Sequence, residues 1–431
     1  FDKSTNVAAI DLTFYACGSV VTVASESAGP IVYDRFNVLI KPGTNRLVSS
    51  TGGAGNLQNN RGSISVTNSV YQGMADDGWA FASVILNISA IYSMGGNGVI
   101  QIHSPRRILV GDQLQILDGS NGRIRGLQIV TAITPSTCSL FPGQHCNITL
   151  DFVPIGTVVG DPTYIFNAAG SPVLVANNTF MSHRGHGILL NCPNSLVINN
   201  NFSDLTLAGV EVGPVFAGFG IGPVPSNATV QDNTFIGGSV EEGILIDNTW
   251  WSAPLLGNNP QIIVTSVLYN SSDPIQQITA ATGPSDVTII GNQIFQPATL
   301  SIEVDIGSRI SIANNTVTLD PSIPRIPGPA VLVLAGYDIT VSPFTLTGVA
   351  NNITSAVELD CGISVIPEYQ CWSISSQPYL PITVCPSWPT NVSTFICPQT
   401  TASSSSSSFT ECGLPILFLH YLLGVFNFFN N

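Results

Sequence analysis

The chain has 431 residues, of which only 9% are charged, and a formal net charge of −14 from 12 Lys and Arg against 26 Asp and Glu. This acidic balance excludes a nucleic-acid-binding protein of the usual kind, because phosphate groups require a basic surface. With so few ions, the surface must be solvated by Asn, Ser, Thr, Gly and attached sugar.

Short strands of alternating β-branched residues recur along the chain, and each ends at an asparagine. These asparagines are Asn68, Asn178, Asn200, Asn233, Asn292 and Asn315. The spacings of 22 residues from Asn178 to Asn200 and 23 from Asn292 to Asn315 match one turn of a three-sided coil. Asn tolerates a left-handed corner, and stacked Asn side chains can form a hydrogen-bonded ladder. The sequence therefore predicts an all-β fold, a right-handed parallel β-helix of the pectin-lyase-like solenoid type.

The first predicted unit, residues 1–89, holds N-terminal coils of this β-helix. It begins at Phe1 without Met or a signal peptide, so we expect a mature form or a fragment. In later coils a second strand opens nine residues after the asparagine, and the same offset from Asn68 leads to Asp77. Because side chains alternate along a strand, this register predicts that Asp77 and Trp79 face outward.

Residues 90–169 lack the asparagine pattern. They contain strand-like segments joined by Gly-Asp and Ser-Asn-Gly turns, which is typical of antiparallel hairpins. We therefore predict a small antiparallel β-barrel inserted between two coils.

The main coils are predicted at residues 170–355, and the segment SHRGHGILL forms the coil that follows Asp77 in space. Three side chains of this coil come near the acidic pair Asp76 and Asp77, namely His183, Arg184 and His186. Glu211 lies two coils farther on, about 10–12 Å from Asp77 at a coil spacing of about 4.8 Å. Asp247 is expected on the same outward side of this sheet.

The nine cysteines have no spacing typical of metal ligands and are predicted to form disulfides. Cys138 and Cys146 would close a short loop. The four cysteines between Cys361 and Cys397 would staple a C-terminal cap at residues 356–400.

Residues 401–431 combine a Ser-rich linker with a hydrophobic end, which resembles a GPI-attachment signal. Cleavage near Ser403–Ser406 would remove Cys412 and leave eight cysteines. The alternative is a short membrane span or a misread terminus, although the run from Leu414 to Phe429 is shorter than the ~20 apolar residues a spanning helix needs.

Nine N-x-S/T sequons favour the eukaryotic secretory pathway and an extracellular or cell-surface location. Their asparagines are Asn87, Asn147, Asn177, Asn201, Asn227, Asn270, Asn314, Asn352 and Asn391.

The candidate catalytic residues are the carboxylates of Asp76, Asp77 and Glu211. Hydrolysis of a glycosidic bond with inversion needs one protonated carboxyl group and one ionised carboxylate about 6.5–9.5 Å apart. The alternative is a DDG turn in which the two acids only cap backbone N–H groups. His183, Arg184 and His186 could likewise be ordinary surface residues.

The order ISVTNSVYQGMADDGWAF, an inserted barrel, and then VANNTFMSHRGHGILLNCPNSLVINNNFSDLTLAGVEV resembles the α-1,3-galactosidases of glycoside hydrolase family 110 over about residues 63–235. The resemblance implies a β-helical exo-enzyme that removes terminal galactose with inversion, with Asp76 and Asp77 as the acidic pair. One departure is the absence of a carboxylate from Val212 to Val230. Glu211 or the Glu241/Glu242 pair would have to substitute, or catalysis has been lost.

The first hypothesis is therefore an extracellular glycosidase whose partner is a galactose-terminated glycan or polysaccharide, with no cofactor and no metal. Its expected substrate-binding residues are Trp79, His183, Arg184, His186 and Asp247. The alternative is a non-catalytic cell-surface β-helix that binds glycans or has a structural role. A polysaccharide lyase is the third hypothesis.

Overall fold

The computed structural model describes much of the N-terminal three quarters of the chain and isolated strands beyond it. The described residues are 1–104, 106–119, 122–135, 144–214, 220–238, 262–264, 283–297, 300–304, 307–320, 322, 330–333, 336–341, 345–348, 357–359, 373–374 and 382–384.

The N-terminal coils consist of short strands separated by tight corners. They are β1 (Val7–Phe14), β2 (Thr22–Ser25), β3 (Ile31–Val38), β4 (Gly55–Gln58), β5 (Ile64–Thr67), β6 (Val70–Gln72) and β7 (Trp79–Val84).

A group of antiparallel strands follows directly. They are β8 (Leu86–Ser93), β9 (Gly95–Gly96), β10 (Val99–Ser104), β11 (Gln113–Leu117), β12 (Ile124–Thr134), β13 (Gln144–Leu150), β14 (Phe152–Val153) and β15 (Pro162–Ile165), before a 3-10 turn at Phe166–Ala168. Six of them close a barrel in the order β10-β13-β12-β11-β15-β8. The barrel strands therefore span residues 86–165, where the sequence predicted 90–169.

The coils then resume to the end of the described chain. Their strands are β16 (Val173–Ala176), β17 (Thr179–Met181), β18 (Ile188–Leu190), β19 (Ser195–Ile198), β20 (Asn201–Ser203), β21 (Val210–Val212), β22 (Ile221–Gly222), β23 (Ser226–Gln231), β24 (Thr234–Ile236), β25 (Ile262–Val264), β26 (Ser285–Ile290), β27 (Gln293–Phe295), β28 (Ile302–Val304), β29 (Gly307–Ala313), β30 (Thr316–Thr318), β31 (Val331–Val333), β32 (Gly336–Val341), β33 (Thr345–Thr347), β34 (Val357–Leu359), β35 (Ser373–Ile374) and β36 (Ile382–Val384).

Parallel pairing between successive coils builds three faces. Sheet 1 contains β5, β16, β19, β23, β26, β29, β32 and β35, and sheet 2 contains β6, β17, β20, β24, β27, β30 and β33. Strand β3 pairs with both β5 and β6, which joins these two faces at one end. Sheet 3 contains β2, β4, β7, β18, β21, β25, β28, β31, β34 and β36. The predicted parallel β-helix with an inserted antiparallel barrel is confirmed.

Aromatic rings stack along the interior of sheet 2 and carry the core across the point where the barrel is inserted. The ring centroids are 5.0 Å apart for Tyr71 and Phe180, 4.9 Å for Phe180 and Phe202, and 4.8 Å for Phe202 and Phe235. All four side chains are buried. Each stacked pair contributes about 0.5–1.5 kcal/mol beyond the burial of its area.

A ladder of buried asparagines follows the corner between sheets 1 and 2. The backbone N–H of Asn178 donates to Asn200 Oδ1 at 2.9 Å, that of Asn200 to Asn233 Oδ1 at 2.9 Å, and that of Asn233 to Asn292 Oδ1 at 3.0 Å. Asn292 continues the series to Asn315 at 3.0 Å. The Nδ2 groups donate along the same axis, so both ends of each amide satisfy buried backbone groups. The predicted ladder is confirmed for these five residues.

The prediction that Asn68 belongs to this ladder is wrong. Asn68 pairs in register with Asn177, and the ladder position beside Asn178 is held by Ser69, whose N–H donates to Asn178 Oδ1 at 3.0 Å. Asn68 and Asn177 instead adopt φ of 54° and 58° at the corner. The corner therefore uses two successive residues, one for the left-handed bend and the next for the ladder.

The barrel is fixed to the coils by buried polar contacts. Arg61 of the coils donates to both carboxylate oxygens of Asp112, at 2.9 and 2.7 Å, and its guanidinium also reaches the carbonyl of Arg107 at 2.6 Å. The side chain of Gln115 pairs with the backbone of Val224 through two bonds of 3.0 and 2.8 Å. These contacts hold the barrel against the coils.

The cysteine prediction holds only in part. Cys146 is disulfide-bonded, but Cys17 and Cys192 are free thiols, so the prediction that they form disulfides is wrong. The thiol of Cys192 lies in the closely packed interior. Cys138, the cap cysteines and the hydrophobic tail lie outside the described residues.

In the part of the chain that the structure describes, no helix is long and apolar enough to cross a membrane.

Candidate functional site

The candidate site lies where three successive coils of sheet 3 begin their strands. Trp79 pairs with Ile188, and Ile188 pairs with Val210. The loops that enter β7 and β18 therefore lie against each other, and the N–H of Gly78 donates to the carbonyl of His186 at 2.7 Å. The register brings Asp77 beside His186.

The side chain of His186 bridges two carboxylates. Its Nδ1 lies 2.9 Å from Asp77 Oδ1, and its Nε2 lies 2.8 Å from Glu211 Oε2. The backbone N–H of His186 also donates to Asp77 Oδ1, at 2.7 Å. With a carboxylate at each ring nitrogen, both nitrogens act as donors, which requires the imidazolium form.

Electrostatics keep this array charged. Burial opposes protonation of His186, but the charges of Glu211 and Asp77 and their hydrogen bonds outweigh it and raise the pKa of His186 to about 10. Burial would raise the pKa of Asp77, yet the His186 charge and its hydrogen bonds lower that pKa below its usual value. His186 is therefore an imidazolium and Asp77 a carboxylate near pH 7.

Gly185 allows the two loops to approach closely. It has φ of 99°, a conformation that favours glycine. A Cβ at this position would lie 2.6 Å from the Asp77 nitrogen and 2.8 Å from Asp77 Oδ1. Any larger residue would therefore push the His186 loop away from Asp77. Gly185 was not predicted as a site residue, although a glycine between two histidines in HRGH is an indication of such a contact.

His183 supports the loop from below. Its side chain is 3% exposed, and burial lowers its pKa to about 4, so the ring is neutral near pH 7. The Nε2 atom lies 3.1 Å from the carbonyl of His186 and donates to it. His183 was predicted to bind substrate; in the structure its ring is buried, and its hydrogen bond to the His186 carbonyl holds the His186 loop.

Asp76 and Arg184 lie at the exposed rim. The N–H of Asp77 donates to Asp76 Oδ1 at 3.0 Å. Partial desolvation and then the Asp77 charge raise the pKa of Asp76, while the hydrogen bond from the Asp77 N–H and the Arg184 charge oppose this rise. The N–H of Arg184 donates to the carbonyl of Met74 at 3.0 Å, which holds its backbone near the acidic pair while the side chain stays exposed.

Exposure falls steadily from the rim to the base of the cluster. The side chains of Asp77, His186 and Glu211 are 25%, 17% and 10% exposed. Leu189, next to Glu211 in the same outward row of sheet 3, is also buried. The polar side chains of the cluster are therefore exposed at Asp76 and Arg184 and largely covered at Glu211.

The prediction that Trp79 faces outward and binds substrate is wrong. Trp79 is fully buried and packs on Tyr33 and Tyr71 at ring distances of 4.8 and 5.7 Å. The error arises because Ser69, and not Asn68, is equivalent to the ladder asparagines of the later coils. The true register of β7 is therefore shifted by one residue from the predicted register. A one-residue shift exchanges the two faces of a strand.

The space between the carboxylates of Asp77 and Glu211 is filled, although the predicted acid–base pair requires an open gap. An inverting pair of carboxylates leaves room for a water molecule across a gap of about 6.5–9.5 Å. Here the imidazole of His186 occupies the space between them. Asp77 and Glu211 therefore do not form an open acid–base pair with each other.

Other predicted residues fall elsewhere. Asp247, Glu241 and Glu242 lie outside the described residues. No group of three or more potential metal ligands occurs among the residues that the structure describes.

No protein-family model and no curated protein matches the chain. Among solved structures, the tailspike protein gp49 from Pseudomonas phage LKA1 is similar at 10% identity and a TM-score of 0.22, covering 82% of this chain and 68% of that one. The Streptococcus pneumoniae surface protein and adhesin PfbA is similar at 12% identity and 0.25, covering 80% of each chain. The Pseudomonas phage phi297 tailspike gp61 gives 10% and 0.15, covering 84% and 68%. These TM-scores are too low to support a conclusion about this chain. The β-helix is identified from its own strand pairing.

Proposed function

We propose that this chain is an extracellular or cell-surface β-helix that binds the terminal sugar of a glycan at the polar cluster of Asp76, Asp77, Arg184, His186 and Glu211. The observation that carries the proposal is the His186 bridge, which holds two carboxylates in fixed positions. Because the cluster is exposed mainly at Asp76 and Arg184, it suits the end of a sugar chain better than its middle.

The chemistry of the cluster suits sugar hydroxyl groups. His186 engages Oδ1 of Asp77 and Oε2 of Glu211, which leaves Asp77 Oδ2 and Glu211 Oε1 as acceptors for two hydroxyls. A hydrogen bond to a charged group contributes about 1.5–3 kcal/mol. Arg184 at the rim adds donors for ring or glycosidic oxygens.

A second candidate function is hydrolysis of a glycosidic bond, favoured by the opposite pKa shifts of Asp76 and Asp77. Neighbouring carboxyl groups with separated pKa values are typical of an acid and a base. Asp76 would protonate the leaving oxygen and Asp77 would activate water. This is also the pair on which the resemblance to family 110 falls, with terminal α-linked galactose as the expected substrate.

Two measurements on the same variants separate these functions. Calorimetric titration with a galactose-terminated oligosaccharide measures binding, and release of free galactose measures turnover. We expect Asp77→Asn to weaken binding at least tenfold, because its charge holds His186 in place. Asp2→Asn is the matched control, since it removes the same charge from an exposed residue outside the site.

The outcomes are distinct. Binding without galactose release in the wild type supports the glycan-binding function alone. Galactose release that is lost in both Asp76→Asn and Asp77→Asn supports the hydrolase. Neither binding nor release across a panel of terminal sugars would contradict both functions.

A further inference from the structure

Sequon asparagines occupy a restricted part of the described surface. Six of them lie in described residues, namely Asn87, Asn147, Asn177, Asn201, Asn227 and Asn314. They lie in the barrel or along sheets 1 and 2, and none is on a described strand of sheet 3, where the candidate site is. Four are exposed, namely Asn87, Asn177, Asn227 and Asn314.

The corner between sheets 1 and 2 exposes one of two adjacent asparagines and buries the other. Asn177 has φ of 58° and is exposed. The next residue, Asn178, is buried, and its Nδ2 donates to Val66 O at 2.9 Å and to Asn200 Oδ1 at 3.0 Å. Only Asn177 can therefore present its amide nitrogen to another reagent.

The residue that follows the buried asparagine at this corner completes an N-x-T sequon. Thr179, two residues after Asn177, opens β17, and Thr316, two residues after Asn314, opens β30. Asn314 repeats the pattern with φ of 53° beside the buried Asn315. Each corner thus presents an exposed N-x-T site on a rigid left-handed bend.

The other two exposed sites are also compatible with modification. Asn227 has φ of 55°, and its Nδ2 donates to Asn194 Oδ1 at 2.8 Å. A glycosylated amide keeps one N–H, so this hydrogen bond can persist. Asn87 is exposed near the start of barrel strand β8.

We propose that Asn87, Asn177, Asn227 and Asn314 carry N-linked glycans. The donor is an oligosaccharide linked to a lipid pyrophosphate. The amide nitrogen forms a bond to the anomeric carbon and loses one proton, while the bond from that carbon to the phosphate oxygen breaks and the lipid pyrophosphate leaves with the electron pair. Glycans so placed leave the candidate site open. This inference is independent of the proposed function.

The test is site mapping of protein secreted from a eukaryotic cell line. Release of N-glycans by peptide N-glycosidase in ¹⁸O-water converts each occupied Asn to ¹⁸O-labelled Asp, which peptide mass spectrometry locates. We expect labels at all four asparagines. The variant Thr179→Val, which keeps the shape of the side chain, should lose the label at Asn177 alone.

A gain-of-site variant tests the corner directly. Asp232 is exposed with φ of 52°, and it precedes ladder residue Asn233 and Thr234, so Asp232→Asn completes the same unit. We expect a new label at position 232. Asn199 is the matched natural control, because it has φ of 56° but no Ser or Thr two residues later, and it should stay unlabelled.

Secreted, folded protein without labels at Asn177 and Asn314 would overturn the proposal for the corners, even if Asn87 and Asn227 are labelled. The Asn-Asn-Thr sequences would then reflect only what the corner needs: a left-handed residue, a ladder amide and a strand-opening Thr. Absence of all four labels would overturn it completely. Circular dichroism of each variant checks that the β-helix has formed.

Discussion

His186 Nε2 lies 2.8 Å from Glu211 Oε2, and this contact ties the loop before β18 to strand β21 of the next coil. On the other side of the ring, Asp77 belongs to the coil that precedes the barrel in sequence. One imidazolium therefore joins three coils across the insertion. The same arrangement fixes the two carboxylates on which the proposed function depends.

Replacement of His186 by Leu should destabilise the protein. Asp77 and Glu211 would remain in a largely buried place without their counter-charge, and loss of one partner from a buried ion pair typically costs about 3–5 kcal/mol. Because the array is partly exposed, we expect a smaller loss, about 2–3 kcal/mol. Chemical denaturation measures the free energy of unfolding, and the exposed Arg184→Leu variant should change it by less than about 0.5 kcal/mol.

The pH dependence of stability should reveal the same array. The pKa of His186 is about 10 in the folded state, above its unfolded value of about 6.5. Its contribution is therefore complete below pH 6.5 and is lost as pH rises towards 10. The lowered pKa of Asp77 contributes above its unfolded value of about 3.9 and is lost at lower pH.

The difference in melting temperature between wild type and His186→Leu should therefore be largest between about pH 4 and 6.5 and should shrink towards pH 10. A difference that grows from pH 7 to pH 10 would show that His186 is not the imidazolium of this array.

The variant Asn233→Leu should be strongly destabilising. It removes the acceptor for the Asn200 N–H and the donors to Val197 O and Asn292 Oδ1. Unsatisfied buried groups cost about 1–3 kcal/mol each, so we expect at least about 3 kcal/mol in denaturant unfolding. Asn199→Gly, at the neighbouring left-handed position, should be nearly neutral, because glycine adopts φ of 56° without strain. Equal effects of the two changes would contradict the division of roles at the corner.

The variant Trp79→Leu tests whether Trp79 stabilises the core without contributing to glycan binding. Loss of ring volume in the closely packed interior should cost about 2–4 kcal/mol of stability. The affinity of the folded protein for a glycan should be unchanged, because Trp79 does not reach the surface. A tenfold weaker affinity with unchanged stability would restore Trp79 as a binding residue.

The β-helix could be predicted because the same hydrogen-bonding requirement recurs at the corner of each coil. Asn178, Asn200, Asn233, Asn292 and Asn315 all meet the same ladder geometry, so their spacing was visible in the sequence. Ser69 meets the requirement with a different residue type, since its hydroxyl accepts from the Phe36 N–H at 2.9 Å. Because Asn68 lies next to Ser69, the asparagine spacing predicted a register that is wrong by one residue. Trp79 was therefore predicted on the outer face of its strand, although it faces the core.

For the candidate site, the sequence predicted which residues lie near one another but not how their side chains are oriented. The coil register brought Asp77, His186 and Glu211 together. The placement of His186 between the carboxylates depends on the left-handed bend at Gly185 and on support from the buried His183. Such side-chain orientation follows from loop packing, which strand periodicity does not determine.

A crystal of the protein soaked with a galactose-terminated oligosaccharide tests the central claim most directly. We predict density for the terminal sugar at the polar cluster, with hydroxyl oxygens within about 3.2 Å of Asp77 Oδ2 and Glu211 Oε1. The Asp77→Asn crystal should lack this density under the same soak. A sugar bound elsewhere on the β-helix or barrel, with no sugar at the polar cluster in the wild type, would contradict the proposed site.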